Sequence, residues 1–240
     1  MKRFAFTMIE LVFVIVVIGI LSAVIVPRMQ RDPLTEAAIQ LASHIRYTQH
    51  LAMVDDKYVP SPSMSKENTT IRKRENAKHW FRGRWQLVFG TSADTNNKIA
   101  YTIFSDQLGS GDLYSGQPDK REIAKNPLDS NKVLSGGYSA GNIDSTSALA
   151  SKEMNLGNKY DIIDVDFTGG CNIATNKERL FFDHLGRPFY GSAHLQTSPY
   201  KDETNAKLLR TNCIITLTHR DTSTIDIVIR PETGYVSIDF

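Results

Sequence analysis

The sequence lacks most of the features by which enzymes and nucleic-acid-binding proteins are recognised. Its 240 residues include six histidines, and no two of them have a metal-binding spacing such as H-E-x-x-H. Nucleophile-elbow, Walker and dinucleotide-binding motifs are also absent. The net charge of +2, from 28 basic and 26 acidic side chains, is too balanced to predict a nucleic-acid partner. We therefore expect a chain that is not an enzyme and has no cofactor or metal.

Apolar residues are concentrated near the N-terminus. Between Phe6 and Val26 the only charged residue is Glu10. As an α-helix this run would be roughly 31 Å long, about the thickness of the hydrocarbon core of a bilayer. Lys2 and Arg3 precede it and predict a cytoplasmic N-terminus. We therefore expect a transmembrane segment over residues 6–26, with the rest of the chain on the far side.

Glu10 is the residue of this run that calls for a chemical explanation. A carboxylate inside a membrane helix costs several kcal/mol unless it is neutralised or paired. Cleavage between Ala5 and Phe6 would create a new α-amino group on Phe6. The amine of a neighbouring, axially shifted copy would then pair with Glu10 in a low dielectric. Such a pair would specify the axial register between helices.

Three simpler interpretations of the run compete with this one. The first is a secretory signal peptide cleaved at Leu21-Ser22-Ala23, although Glu10 and the continuation to Val26 speak against it. The second is a plain signal anchor in which Glu10 has no role. The third is a buried helix of a soluble protein, which the length disfavours.

The segment Phe6-Thr7-Met8-Ile9-Glu10-Leu11, with the apolar run that follows it, resembles the type IV pilin and pseudopilin superfamily. The resemblance implies cleavage before Phe6 by a prepilin peptidase, N-methylation of the Phe6 amine, and a requirement for Glu10 in assembly. Pro27 matches a helix-bending proline of the family. Ala5 departs from the family pattern, which has glycine before the cut, but it keeps the small size.

Later segments resemble the H-type minor pseudopilins of type II secretion and related minor pilins. They are residues 36–54, 182–188 and 227–236. The resemblance implies a structural subunit of a periplasmic filament in a type II secretion or type IV pilus-like system. Its partners would be other pilin or pseudopilin subunits, the prepilin peptidase and an inner-membrane assembly platform. The implied location is the inner membrane, with the N-terminus cytoplasmic and the C-terminal domain periplasmic.

We expect an α+β fold with a leader at 1–5, an N-terminal helix at 6–54 and a β-rich domain at 55–240. One long helix, bent near the prolines, is predicted over about Thr7–Val54, transmembrane in its first half and amphipathic in its second. A spacing of three and four places an apolar stripe on that second half, formed by Leu34, Ala37, Ala38, Leu41, Ala42, Ile45 and Ala52.

Strands are predicted by alternation of apolar and polar residues, and we expect them to form an antiparallel sheet. A hairpin is expected from Arg84–Phe89 and Lys98–Phe104, and an irregular insertion at about 105–158. The later strands are expected at Tyr160–Phe167, Arg179–Phe182, Cys213–Thr218, Thr224–Ile229 and Tyr235–Phe240.

The two cysteines of the chain, Cys171 and Cys213, fall on the side that we expect to be periplasmic and oxidising. A disulfide between them would close a loop and, in the chain-entropy model, would stabilise the folded state by on the order of 4 kcal/mol. Two buried free thiols are the alternative.

A basic segment with interleaved aromatic residues carries the main alternative function. Its basic residues are Arg72, Lys73, Arg74, Lys78, Arg82 and Arg84. Such groups neutralise phosphates, so DNA contact in a competence or DNA-uptake system is possible, although a solvated basic loop is the simpler interpretation. A third hypothesis is a membrane-anchored periplasmic protein that never polymerises.

Asp161, Asp164 and Asp166 could offer oxygen ligands to Ca²⁺. Their spacing fits no EF-hand loop, and Asp164 and Asp166 share one face of a predicted strand. We expect solvated carboxylates there.

Overall fold

The computed structural model of the chain describes residues 7–28, 32–59, 77–107, 114–138, 143–172, 178–201 and 206–239, without the side chains of residues 24–28. It divides into two compact units, Met1–Pro33 and Leu34–Phe240. The first contains the helix α1 (Met8–Arg28), and the second contains nearly all of α2 (Pro33–Val54) and every strand. The fold is α+β with antiparallel sheets.

The predicted continuous helix over Thr7–Val54 is wrong. The helical residues form two elements, α1 ending at Arg28 and α2 beginning at Pro33. A proline disfavours the α conformation at the residue before it, and Asp32 is not helical. Proline is well tolerated at the first position of a helix, which is where α2 places Pro33. Pro33 therefore begins a second helix where we expected one bent helix.

The predicted transmembrane first half is also contradicted. Within the described ranges, no helix has both the length and the apolarity that crossing a bilayer requires. The side chains of α1 are described from Met8 to Ala23.

The apolar stripe of α2 is confirmed. All seven predicted residues are buried, and Thr48 joins them on the same face. Leu41 and Ile45 are fully buried, each worth roughly 2–3 kcal/mol of hydrophobic free energy. The stripe is part of one large core with residues of both sheets, including Leu87, Leu180 and Ile227. The second helix is thus held in its unit by packing.

The first sheet has five antiparallel strands in the order β2-β1-β4-β5-β6. Their bounds are β1 Trp85–Gly90, β2 Ala100–Ser105, β4 Arg179–Phe182, β5 Pro188–Gly191 and β6 Ala206–Leu208. The predicted hairpin of β1 and β2 is confirmed, with Leu87 opposite Ile103. The strands β5 and β6 were not predicted, because four and three residues are too few to establish an alternating pattern.

The second sheet has four antiparallel strands in the order β3-β7-β8-β9. They are β3 Ile162–Gly169, β7 Cys213–His219, β8 Thr224–Ile229 and β9 Val236–Asp239. All four agree with predicted strands to within two residues at each described boundary. The division of the strands into two sheets was not predicted.

The described parts of the insertion lie along the free edge of β2. The Leu134 carbonyl accepts a hydrogen bond from the Ile103 amide at 3.0 Å, and the Ala124 amide donates to the Ile103 carbonyl at 2.9 Å. Leu134, Ile143 and Met154 are fully buried. A short helix, α3 (Leu156–Tyr160), leads from the insertion into β3. The insertion therefore covers an edge that would otherwise present unpaired backbone groups.

One side chain of α2 ties together turns that belong to the two sheets. Gln49 Nε2 donates to the Gly186 carbonyl and to the Thr233 carbonyl, both at 2.8 Å. Gly186 and Gly234 have φ values of 78° and 62°, which favour glycine. A Cβ on Gly234 would lie 2.5 Å from Gln49 Nε2. The close approach of these turns to α2 therefore requires glycine.

Candidate functional site

The described side chains of α1, from Met8 to Ala23, are almost all apolar and exposed. The side chain of Met8 is 88% exposed and that of Leu21 is 54% exposed. Similar exposures apply to most of the large residues between them, which are Ile9, Leu11, Val12, Phe13, Val14, Ile15, Val16, Val17, Ile18 and Ile20. An exposed apolar surface of this extent is typical of a site that contacts another protein or a membrane.

Glu10 is also exposed, in the first turn of α1. Its backbone amide donates to the Oγ1 of Thr7 at 3.3 Å, so Thr7 is the N-cap of the helix. The sequence Thr7-Met8-Ile9-Glu10 has the pattern of a capping box, a signal that our sequence analysis missed. A carboxylate at this position is also favoured by the helix dipole. Glu10 thus has a local helical role available in addition to the predicted intermolecular one.

The residues predicted for processing lie at the limits of what the structure describes. Ala5 and Phe6 fall outside the described residues. Pro27 belongs to the last turn of α1, one residue before the helix ends. The cleavage and methylation predictions therefore stay predictions.

The predicted disulfide is present. The Cys171 and Cys213 sulfur atoms are 2.02 Å apart, and their Cα atoms are 5.0 Å apart. Cys213 lies opposite Gly169 at the start of β7, so the bridge ties the end of β3 to its neighbour. Both cysteines are buried in the core beneath α2. The bridge therefore reinforces the sheet against which that helix packs.

The described residues of the basic segment are mostly engaged within the protein. Arg84 is only 3% exposed, donates to the Pro199 carbonyl at 3.0 Å, and lies 5.0 Å from the centre of the Phe189 ring. Arg82 Nε donates to the Gln196 carbonyl at 2.8 Å. Lys78 is exposed.

Burial lowers the pKa of Arg84 to about 10, with opposing contributions from nearby charges. The predicted DNA-contact residues Arg72, Lys73 and Arg74 lie outside the described residues. Of the six basic residues, Lys78 is therefore the one that the structure describes with an exposed side chain.

A polar network borders the buried stripe of α2. His44 Nδ1 lies 2.7 Å from the hydroxyl of Tyr101, and Gln40 Nε2 donates to the same hydroxyl at 3.2 Å. Gln40 also donates to the Glu153 carbonyl and accepts from Tyr160. Burial lowers the pKa of His44 to about 4, so the imidazole is neutral at pH 7. These groups satisfy one another and join α2 to β2 and the insertion.

A second buried network holds the insertion against the outer face of the five-stranded sheet. The Gly116 amide donates to Asp106 Oδ2 at 2.5 Å, and Arg179 Nη1 donates to the Gly116 carbonyl at 2.6 Å. A Cβ on Gly116, whose φ is 68°, would lie 2.1 Å from His194 Nδ1. Burial raises the pKa of Asp106 to about 7. Its contacts are those of an anchor between the insertion and the sheet.

The three aspartates considered for Ca²⁺ do not converge on one point. Asp161 forms an ion pair with Arg220 at 2.9 Å, and Asp164 and Asp166 are exposed on β3. In the part of the chain that the structure describes, no group of three or more histidine, cysteine, aspartate or glutamate side chains is placed to hold a metal ion.

Comparisons with protein-family models, with curated proteins and with solved structures find no match to this chain. Its functional assignment therefore depends on the chemistry of its own residues and on the N-terminal resemblance.

Proposed function

We propose that the chain is a structural subunit of a pilin-like or pseudopilin-like filament, matured by a prepilin peptidase before Phe6 and assembled through α1. The filament belongs to a type II secretion or type IV pilus-like system. The protein is not an enzyme in this proposal, and the work of assembly comes from other components.

One observation carries the proposal: α1 is apolar on all sides, is exposed over its described side chains, and has one charge near its start. In a filament, the α1 helices of neighbouring copies would cover one another. This packing removes apolar surface from water, which stabilises the assembly by roughly 25 cal/mol per Å² of surface buried. The β-rich unit would then face outward.

Glu10 supplies the polar element of this packing. Once cleavage has exposed the Phe6 amine, the Glu10 carboxylate of one copy pairs with the amine of the next. Because the surroundings are apolar, an unpaired carboxylate is costly, and this cost would select the one axial stagger that brings the two charges together.

The disulfide supports an oxidising compartment for the second unit, since such bonds persist in the periplasm and are rare in the cytosol. The proposal accordingly locates the protein at the inner membrane, with residues 55–240 in the periplasm. The prepilin peptidase, the assembly platform and other subunits are its partners there.

The mass of the intact protein, purified from its own cells, tests maturation. We expect the loss of residues 1–5 together with the gain of one methyl group at Phe6. A mass that retains Met1 or Lys2, or a cut near Ala23, would remove the amine that Glu10 needs and would refute the proposal.

Assembly is tested by Glu10→Gln. Glutamine serves as well as glutamate in a capping box, so this change preserves the capping pattern and removes the charge. We expect loss of filaments by electron microscopy and normal levels of the processed subunit. The matched control is Glu36→Gln, at an exposed acidic residue in the first turn of α2. Normal filaments in Glu10→Gln would favour the non-polymerising alternative.

DNA binding stays a prediction that the same chain can test. Retardation of DNA by the purified protein should be measured at two salt concentrations, because phosphate contacts weaken steeply with salt. No shift at low salt would end this alternative, and a shift lost in Lys78→Glu would support it.

A further inference from the structure

The outer face of the four-stranded sheet has an unusual charge distribution. Side chains alternate along β3, so Val165 and Phe167 are buried, and Asp164 and Asp166 point to the opposite, exposed side. Residues that are paired across strands share a face. The registers therefore define a surface, here called the acidic face, formed by Asp164, Asp166, Thr168, Ile214, Thr216, Thr218, Thr224, Asp226, Val228, Ser237 and Asp239.

Three of its four aspartates lie in one row across the sheet. Asp166 is opposite Thr216, Thr216 is opposite Asp226, and Asp226 is opposite Asp239. Three strand spacings amount to roughly 14 Å, which about four or five residues of extended chain would cross. The row thus presents carboxylates over a length that suits a short extended segment.

The acidic face has no compensating positive charge of its own. Its residues include no lysine or arginine. Among the described residues, no lysine, arginine or histidine lies within ion-pair distance of its four aspartates. Nearby, burial together with Asp164 and Asp166 raises the pKa of Glu178. The face therefore attracts cationic groups and repels a second acidic face, DNA and anionic lipid.

The complementary charge in this chain is the basic segment. Arg82 and Arg84 are engaged with carbonyl groups of the 196–199 loop and are not available. The same segment also contains Arg72, Lys73, Arg74 and Lys78, against the single acid Glu75 between them. Of these four, the structure describes Lys78, which is exposed. No other stretch of seven residues in the sequence has four basic side chains.

We propose that the acidic face of one copy binds the segment Arg72–Lys78 of a second copy. This contact rests on the proposed function, because a filament holds the β-rich units of neighbouring copies side by side. It would provide a lateral, salt-sensitive contact in addition to the packing of α1. Like charges disfavour pairing of two acidic faces, so the contact joins two different surfaces of the subunit and can repeat from copy to copy.

Zero-length cross-linking tests the contact directly. A carbodiimide joins a carboxylate to an amine with loss of water, so it reports ion pairs between aspartate and lysine. The full chain is produced in ¹⁴N and ¹⁵N forms, the two are mixed and allowed to associate, and cross-linked peptides are identified by mass spectrometry. We expect mixed-isotope peptides that join Lys73 or Lys78 to Asp166, Asp226 or Asp239. The control amine is Lys120, which is exposed elsewhere.

Charge reversal supplies the matched variants. Because these changes also remove cross-linking groups, association is measured for them by sedimentation of the mixture. Asp166→Lys with Asp239→Lys should weaken association about fivefold or more, the size expected for losing modest ion pairs. Lys73→Glu with Lys78→Glu should do the same. Combining copies of the two reversed proteins should restore association. Asp119→Lys, at an exposed aspartate outside the acidic face, should leave it unchanged.

Three results would overturn the contact. They are peptides that join the segment and the face within one isotope only, association that is insensitive to salt between about 0.1 and 1 M, and reversed variants that do not restore each other. Failure of maturation or of Glu10-dependent assembly refutes the filament proposal by a different measurement. Loss of the mixed-isotope peptides with normal maturation and normal filaments refutes only this contact.

Discussion

The two long helices, α1 and α2, show that apolar content and burial are separate properties. They have 21 and 22 residues, and α1 is far richer in large apolar side chains. Yet the described side chains of α1 are exposed, whereas α2 buries a complete stripe. The difference lies in pattern, because α2 concentrates its apolar residues on one face and α1 has them all round. A one-sided helix finds its partner in its own chain, and an all-round apolar helix needs partners from elsewhere.

The largest expected change in stability comes from removing a buried side chain of α2. Leu41→Ala removes a fully buried side chain from α2 and should lower the free energy of unfolding of the second unit by about 4 kcal/mol. The matched change in α1 is Leu11→Ala, whose side chain is 58% exposed and which should leave that free energy unchanged. Urea denaturation of the two variants measures both. Equal losses would mean that α1 contributes to the same core.

A smaller effect concerns the polar border of α2. The pKa of His44 in the folded protein is about 4, below the ordinary value of 6.5, so between these pH values the unfolded chain holds a proton that the native one lacks. Stability should therefore fall as pH drops from about 7 toward 4, by up to roughly 3 kcal/mol from this group.

Denaturation of the wild type and of His44→Gln at several pH values measures this contribution. The variant should lose less stability than the wild type on acidification. His50→Gln, at an exposed histidine of the same helix, should keep the wild-type dependence. Parallel curves for the wild type and His44→Gln would contradict the burial of a neutral imidazole.

The two hydrogen bonds donated by Gln49 should contribute about 2 kcal/mol to the free energy of unfolding. Gln49→Ala removes two hydrogen bonds of 2.8 Å and leaves the Gly186 and Thr233 carbonyls without their donor. Ser43→Ala, at an exposed position of α2, is the control and should change stability by less than about 0.5 kcal/mol. Hydrogen exchange should additionally quicken at the two turns. Unchanged exchange there would mean that other contacts hold them.

The smallest effect sharpens the comparison at the start of α1. Thr7→Ala removes the side-chain cap of the Glu10 amide and should destabilise the first turn by about 1 kcal/mol. Exchange of that amide should rise about fivefold, and urea denaturation of the second unit should not change. Thr7→Ser keeps the hydroxyl and should behave like the wild type.

The parts of the fold that depend on local pattern could be predicted from the sequence. The stripe of α2, the hairpin of β1 and β2, and the strands β7 and β8 all follow from periodicity. The pairing of Cys171 with Cys213 followed from an argument about compartment. The break before Pro33 was missed because the helical pattern resumes in phase so soon after it that one bent helix seemed sufficient.

The features that depend on distant contacts could not be predicted. Gln49 has an ordinary position on a helix face, and only the fold brings Gly186 and Thr233 to it. The burial of Arg84 contradicts the usual exposure of basic loops, because the cover over that side of the sheet comes from residues 196–199. The acidic face is likewise invisible in sequence, because its aspartates are brought together by strand register.

The hydrogen bonds from Gln49 to the two turns have a consequence for folding during synthesis of the protein. Gln49 and Thr233 are 184 residues apart. At roughly 5–20 residues per second, a ribosome would need about 10–40 s to make the second partner after the first. For most of that interval the stripe of α2 has no finished sheet to pack against, because the five-stranded sheet is complete only with β6 at Leu208 and the four-stranded sheet only with β9. A chaperone that shields the nascent chain is therefore expected to recognise α2 as well as α1, and to release the former only when translation is nearly complete.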